Sequence, residues 1–352
     1  MVLQDILAAI AVVMNGLPQA LLALTFGFAA FPTALAFVAG TAGVLIFQSV
    51  APISFQAESI VLAGTMGKDR RERLNIVFYT GIVMVVIGAL GFLEPTIEFI
   101  GPTILNAMMA GVGIILAKVG IDMTKENKVV GGSSVFIALL TFFISGNLVY
   151  TIVFSVFASS IVHALVAKKS GEESETKVNF DYEKLEPLKF KVNRNIVKST
   201  LAMVTLQIGG NIAYASVTGS LANATVNVDQ ITLYSGIGDA VSAYFGGAPV
   251  EAIISGTAVA PNPIMSAALM MIIMAAILFA KVVPRIAKYV PNQTIAGFLL
   301  VLGAIIVFPD NMLLALGGNP VVAGVTAIVT ATVDPFIGML SGIVLRFVMT
   351  AL

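Results

Sequence analysis

Apolar segments follow one another along this chain with almost no polar interruption, and two of them break at an Ala-Pro dipeptide and then resume. The first break reads Ala51-Pro52-Ile-Ser-Phe-Gln-Ala-Glu58-Ser59 and the second Ala248-Pro249-Val-Glu251-Ala-Ile-Ile-Ser255-Gly256. Lipid tolerates open backbone only where protein or a water-filled cavity satisfies it, so a broken span must line something. Matched breaks in the two halves of a chain point to the binding site of a transporter.

The composition leaves little alternative to the membrane. With 58% hydrophobic and 11% charged residues and a mean hydropathy of +0.99, the chain has too little polar surface for a soluble globule. Fourteen apolar segments are expected to span, at about 5–26, 32–48, 52–66, 75–93, 102–121, 130–145, 147–167, 197–220, 230–246, 249–260, 264–286, 291–308, 319–333 and 335–351. The third and tenth are too short for a crossing helix of ~20 residues, which fits a short strand followed by a half-helix. Met1 to Gly27 has no basic n-region and reads as the first span, not a signal peptide.

The chain has no Cys and one His, His163, and carries no GxxxxGK[ST], H-E-x-x-H or G-x-S-x-G motif. Disulfides, thiolate chemistry, ATP hydrolysis and the familiar membrane hydrolases are therefore not expected, so the chain is not read as an enzyme. No metal site and no cofactor is expected beyond a coupling ion, H⁺ or Na⁺.

The polar stretch Lys168 to Lys198 divides the chain. Residues 1–168 hold spans 1–7, 169–196 form a linker, and 197–352 hold spans 8–14. An odd number of spans per half obliges the second to cross upside down relative to the first, so the expected fold is an all-α integral membrane protein of two inverted seven-span repeats. Gly101-Pro102 and Val290-Pro291 each open a span with Pro in its first turn. Of 19 Lys and Arg, all but Arg346 fall in the loops after spans 3, 5, 7 and 11, at about 68–75, 118–128, 168–198 and 281–288. The positive-inside rule makes these loops cytoplasmic in a plasma (inner) membrane, with both termini outside. The run Lys68 to Arg73 is explained by topology, and no nucleic acid is expected as a partner.

Around the breaks, Glu58 sits in the first turn of the expected half-helix, in apolar surroundings. It reads as a proton carrier, cation ligand or acceptor for substrate N–H groups, or else as a helix cap. Glu251 is a second site carboxylate or a structural partner of a neighbouring span. Gln207 and Asn211 share one face of span 8 and suit a ligand bearing amide or carbonyl groups, or helix–helix bonding. Gln56, Ser59 and Ser255 complete a polar lining, Phe55 supplies an apolar wall, and Gly256 allows close backbone approach. Asp239 either latches the span 10 break by accepting backbone N–H groups or pairs helices, and joins Glu58 and Glu251 as an ion-coupling candidate. Asn15 and Gln19 are expected to patch backbone freed by Pro18. Glu94 and Glu98, at a span end, are expected to be solvated.

Three stretches resemble the nucleobase–cation symporters (uracil, xanthine and purine permeases), within the superfamily shared with sulfate permease-like carriers. They are Ile76 to Ile121, with Gly88-Ala-Leu-Gly-Phe-Leu-Glu94, Phe99-Ile-Gly-Pro102 and Ala110-Gly-Val-Gly-Ile; Tyr234-Ser-Gly-Ile-Gly-Asp-Ala-Val-Ser-Ala-Tyr-Phe-Gly-Gly-Ala-Pro249; and Val283 to Gly303. The resemblance implies a core domain of spans 1–4 and 8–11, a gate domain of spans 5–7 and 12–14, and a substrate between the strands of spans 3 and 10, facing span 8. It also implies cytoplasmic termini, against the charge distribution. Two acids usual in that family are missing, one in span 8, where the chain reads Thr205-Leu206-Gln207, and one opening the span 10 half-helix, where Ser255 or Gly256 stands. With no Lys or Arg near a span centre, the expected substrate is a purine or pyrimidine base carried in symport with H⁺ or Na⁺ by an elevator-like alternation. An oxyanion carrier or a channel of the same fold is the alternative. Membrane lipid and the small-molecule substrate are the expected partners, with a homodimer through the gate spans left open.

Overall fold

The computed structural model describes residues 2–170, 182–283, 291–333 and 335–351. In the first half, α1 (Leu3–Thr25) and α2 (Ala30–Phe47) are followed by strand β1 (Ile53–Ser54) and the half-helix α3 (Ala57–Met66). Then come α4 (Arg70–Leu90), the short α5 (Leu93–Ile100), α6 (Pro102–Glu126), α7 (Lys128–Ser145) and α8 (Leu148–Ser170). The second half opens with α9 (Arg194–Leu221) and α10 (Val228–Tyr244), then strand β2 (Glu251–Ala252), a 3₁₀ turn (Gly256–Val259) and α11 (Pro263–Phe279). It closes with α12 (Ala296–Val301), a π-helical stretch Leu302–Val307, α13 (Phe308–Leu316), α14 (Pro320–Thr332) and α15 (Pro335–Ala351).

Local chemistry sets many of these boundaries. Asp69, Asn127, Asn193, Asn227 and Asn319 accept first-turn N–H groups of α4, α7, α9, α10 and α14, the work of an N-cap. Proline opens α6, α11 and α14, where its missing donor is harmless. Pro309, without an N–H for the turn before it, stands just after the π-helical stretch.

Five helices are each long and apolar enough to cross a membrane, Ala30–Phe47, Arg70–Leu90, Pro102–Glu126, Lys128–Ser145 and Gln293–Leu316, and five shorter apolar ones accompany them among the described residues. The fold is a multi-pass membrane bundle of two inverted repeats. α1–α4, α9–α11 and both breaks pack as a core domain, while α6–α8 and α12–α15 pack as a gate domain. Glycines allow the closest crossings. A Cβ on Gly81 of α4 would lie 2.6 Å from the Ala240 N–H nitrogen of α10, and one on Gly113 of α6 would lie 2.6 Å from the nitrogen of Phe308.

The second break departs from expectation. Span 10 resumes as one 3₁₀ turn of four residues, not a half-helix, because Pro261 and Pro263 follow at once and each disfavours helical backbone in the residue before it. The linker also differs from a free polar loop. The Glu183 carboxylate accepts from the nitrogens of Ala30 (2.9 Å) and Phe31 (2.7 Å) at the start of α2. Arg71 donates to the carbonyls of Lys189 and Phe190, and Lys191 pairs with Glu72 at 2.8 Å.

Candidate functional site

The two breaks meet. β1 and β2 pair antiparallel, Ile53 against Ala252 and Ser54 against Glu251, which satisfies part of the backbone that the prolines leave open. Side chains satisfy more of it. Tyr234 donates its hydroxyl to the Ala51 carbonyl. Asp239 Oδ1 accepts from the Val250 nitrogen at 2.6 Å, and Asn211 Oδ1 accepts from the Ala252 nitrogen at 3.2 Å. Thr218 donates to the Ile253 carbonyl at 2.8 Å, and Gln56 Nε2 donates to the Ala252 carbonyl at 3.3 Å. Every buried polar group without a partner costs about 1–3 kcal/mol, so these contacts are what make an unwound strand tolerable at this depth.

A pocket of ≈ 50 Å³ lies beside the paired strands, between core and gate. Ser54, Phe55 and Gln56 line it from the first break, Ile253 and Ile254 from the second, Asn15 and Gln19 from α1, and Tyr214 from α9. Leu116 of α6 and Phe298, Leu299 and Leu302 close it from the gate side. Among the described residues none of the lining side chains is charged. The N-terminus of α3 abuts the pocket at Gln56, whose own side chain does not cap it, and the first turn of a helix carries N–H groups without intrahelical partners. Asn15 Oδ1, Gln19 Oε1 and Ser54 Oγ are buried with no hydrogen-bond partner.

The residues singled out from sequence divide into two groups. Phe55 and Gln56 line the pocket, and Phe55 also packs on Phe37 with ring centroids 5.3 Å apart. The others sit behind it. Gln207 donates to Asp239 Oδ2 at 2.7 Å, and Asn211 reaches Thr232 and Ser235. Together these hold the second break. Ser59 donates to Glu251 Oε1 at 2.6 Å, and Glu251 is only 2% exposed. Ser255 accepts from the Thr257 nitrogen and bonds its hydroxyl, while a Cβ on Gly256 would make only ordinary contact with Val12. Glu58 occupies the first turn of α3, and its side chain lies outside the described residues.

Two expectations need correction. Asn15 and Gln19 do not patch backbone at Pro18: α1 runs unbroken through it, and their amide oxygens meet the pocket instead. The visible signal was two amides four apart on one face of an otherwise apolar helix. Ser54 and Tyr214 carried no such signal, because strand register and the facing of α9 are tertiary facts. Glu94 is not simply solvated either, since its Oε1 accepts from the Val228 nitrogen at 2.5 Å.

No family model matches the chain, and no curated protein sequence does. Solved structures do. The transmembrane domain of a cyanobacterium bicarbonate transporter, BicA, superimposes with a TM-score of 0.64 at 14% identity, covering 96% of each chain. SLC26A9 gives 0.59 at 13% identity over 99% of this chain and 65% of that one. The murine Slc26a9 anion transporter in the inward-facing state gives 0.58 at 13%, over 99% and 68%. The fold is the one these transmembrane domains share.

These neighbours overturn the resemblance to nucleobase–cation symporters, since the solved structures that share this fold are a bicarbonate transporter domain and SLC26A9. The reason lies in what the shared stretches do. Gly111 and Gly113 admit the backbones of α14 and α13, and Gly236 admits that of α4. Such glycines record how helices cross and say nothing of what is carried.

Proposed function

We propose that this protein is a secondary carrier of a small oxyanion, moved by displacement of the core domain against the gate. The observation that carries the reading is the uncharged polar pocket at the crossing of the two breaks, with the uncapped start of α3 beside it. A helix N-terminus favours negative charge through its free N–H groups and its dipole. Either amide, at Asn15 or Gln19, can turn through 180° to offer its NH₂. The pocket's ≈ 50 Å³ admits about three to five water-sized groups at ~10–15 Å³ each, which suits a small oxyanion of about four or five heavy atoms. The anion transporters among the fold neighbours support the same class.

Within this reading Glu251, buried and bonded to Ser59, is the coupling carboxylate for H⁺ or Na⁺, with Glu58, in the first turn of α3, as its alternative. Asp239 has both oxygens engaged by Gln207 and Val250, and its part is to hold the break. The basic loops are assigned to the cytoplasmic side by the positive-inside rule. Lipid surrounds the bundle, and a second copy would meet it through the gate spans.

The test is uptake by proteoliposomes of purified protein. Saturable, gradient-driven uptake of labelled bicarbonate or sulfate is expected, with no uptake of uracil or xanthine. Glu251→Gln is expected to keep anion exchange and to lose accumulation driven by an ion gradient. Concentrative nucleobase uptake without anion uptake contradicts the proposal, and a non-saturating anion flux makes the protein a channel.

A further inference from the structure

Arg346 is the one basic residue that the asymmetry of charge does not explain, and it stands at a junction between the two domains. Core helix α4 is joined to gate helix α6 by α5 alone. That helix is flanked by Gly91 (φ 68°) and Gly101 (φ 76°), conformations that side chains with a Cβ rarely adopt. At the core end, Asp229 Oδ1 and Oδ2 accept from the nitrogens of Leu93 (2.8 Å) and Glu94 (2.9 Å), while Glu94 accepts from Val228. The starts of α5 and α10 thus cap each other. At the gate end, Arg346 of α15 donates through one nitrogen to the carbonyls of Phe99 (3.0 Å) and Ile100 (2.8 Å). Its guanidinium also lies 5.1 Å from the Phe99 ring centroid and 5.6 Å from that of Phe347. An acid at the start and a cation at the end both complement the dipole of α5.

We infer that α5 is a strut between core and gate on the face opposite the basic loops, seated on Asp229 at one end and Arg346 at the other, and turning at Gly91 and Gly101. Helix caps need only backbone atoms of their own domain; these two instead fasten one short helix to two different domains. An eight-residue helix is about 12 Å long, so the strut fixes how far the domains can separate while letting the core travel along an arc. This rests on the carrier reading only in taking the core to move.

The absence of cysteine allows a direct test by spin-label distance measurement. Labels go on Ile46 of α2 and Leu313 of α13, which are 73% and 72% exposed, one in each domain near this face. Arg346→Gln and Asp229→Ala are each expected to roughly double the width of the core–gate distance distribution, and the double variant is expected to be no wider, because either loss frees the strut. Where Asp229→Ala fails to fold, Asp229→Asn, which loses one of the two acceptors, takes its place. Unchanged distributions, with or without a lower melting temperature, reduce both residues to simple caps and overturn the inference. Uptake measured on the same samples separates the two claims. A wild-type protein that carries no anion while its variants broaden sinks the carrier reading and leaves the strut.

Discussion

Asp239 illustrates how a single side chain can hold unwound backbone in an apolar interior. One oxygen takes the Val250 nitrogen and the other the Gln207 amide, so the strand after Pro249 is fixed to both α9 and α10. Removing the carboxylate leaves both donors buried and unpaired, and Asp239→Ala is expected to lose roughly 2–6 kcal/mol of stability, at about 1–3 kcal/mol for each group. Asp239→Asn should lose much less, because its oxygen can still accept from Val250 while Gln207 turns to offer its own oxygen. Thermal unfolding of the two purified variants checks this, and equal losses would contradict the account. At this scale the sequence was informative about residue type and weak about direction. Gln207, Asn211 and Asp239 were recognisable as buried polar groups near a break, but whether each faced the solute or the strand depended on helix rotation. For the same reason the amides at Asn15 and Gln19 face the pocket and not the backbone at Pro18.

Between elements, the two breaks resemble each other in sequence and differ in geometry. Pro52 is followed by four residues and then ten residues of α3, whereas Pro249 leads to a single turn closed off by Pro261 and Pro263. Only the first therefore supplies an open helix end, and the site is asymmetric although the repeat is not. Helix crossings show the same dependence on neighbours. A side chain on Gly81 would enter within 2.7 Å of Gly236 O and Ala240 N, and Gly81→Val is expected to lower stability by about 3 kcal/mol or prevent folding. Gly132 and Gly324 have nothing within 4 Å of an added Cβ, so alanine there should be neutral or stabilising by up to ~1 kcal/mol. Melting temperatures of these variants decide the matter, and a destabilised Gly132→Ala would count against the packing described. The spans, the two breaks and the Pro-opened helices were legible because prolines and apolar runs act locally. The shortness of span 10 was legible too, whereas its resumption as a 3₁₀ turn instead of a half-helix depends on Pro261 and Pro263.

Across the whole molecule, inversion of the halves was readable from an odd span count either side of one polar linker. The substrate class was not readable, since the glycines in the stretches that carried the resemblance serve helix packing. The charge asymmetry remains a statement about orientation: Arg70, Arg71 and Arg73 bond the carbonyls of Gly27, Gly246, Lys189, Phe190, Gly67 and Phe26, gathering the basic loops on one face. Single cysteines placed at Lys68 and Lys189 are expected to be labelled by an impermeant thiol reagent only from the cytoplasm, and one at Gln48 only from outside; the reverse pattern would place the termini inside. The central claim, that a small oxyanion sits where the breaks meet, is tested most directly by ligand-induced stabilisation of the purified protein. Bicarbonate or sulfate at 100 times its dissociation constant should stabilise the wild type by about 2.7 kcal/mol, while Gln19→Leu should need roughly tenfold more anion for the same shift and nucleobases should have no effect. Stabilisation by a nucleobase alone, or anion stabilisation indifferent to Gln19→Leu, would contradict it.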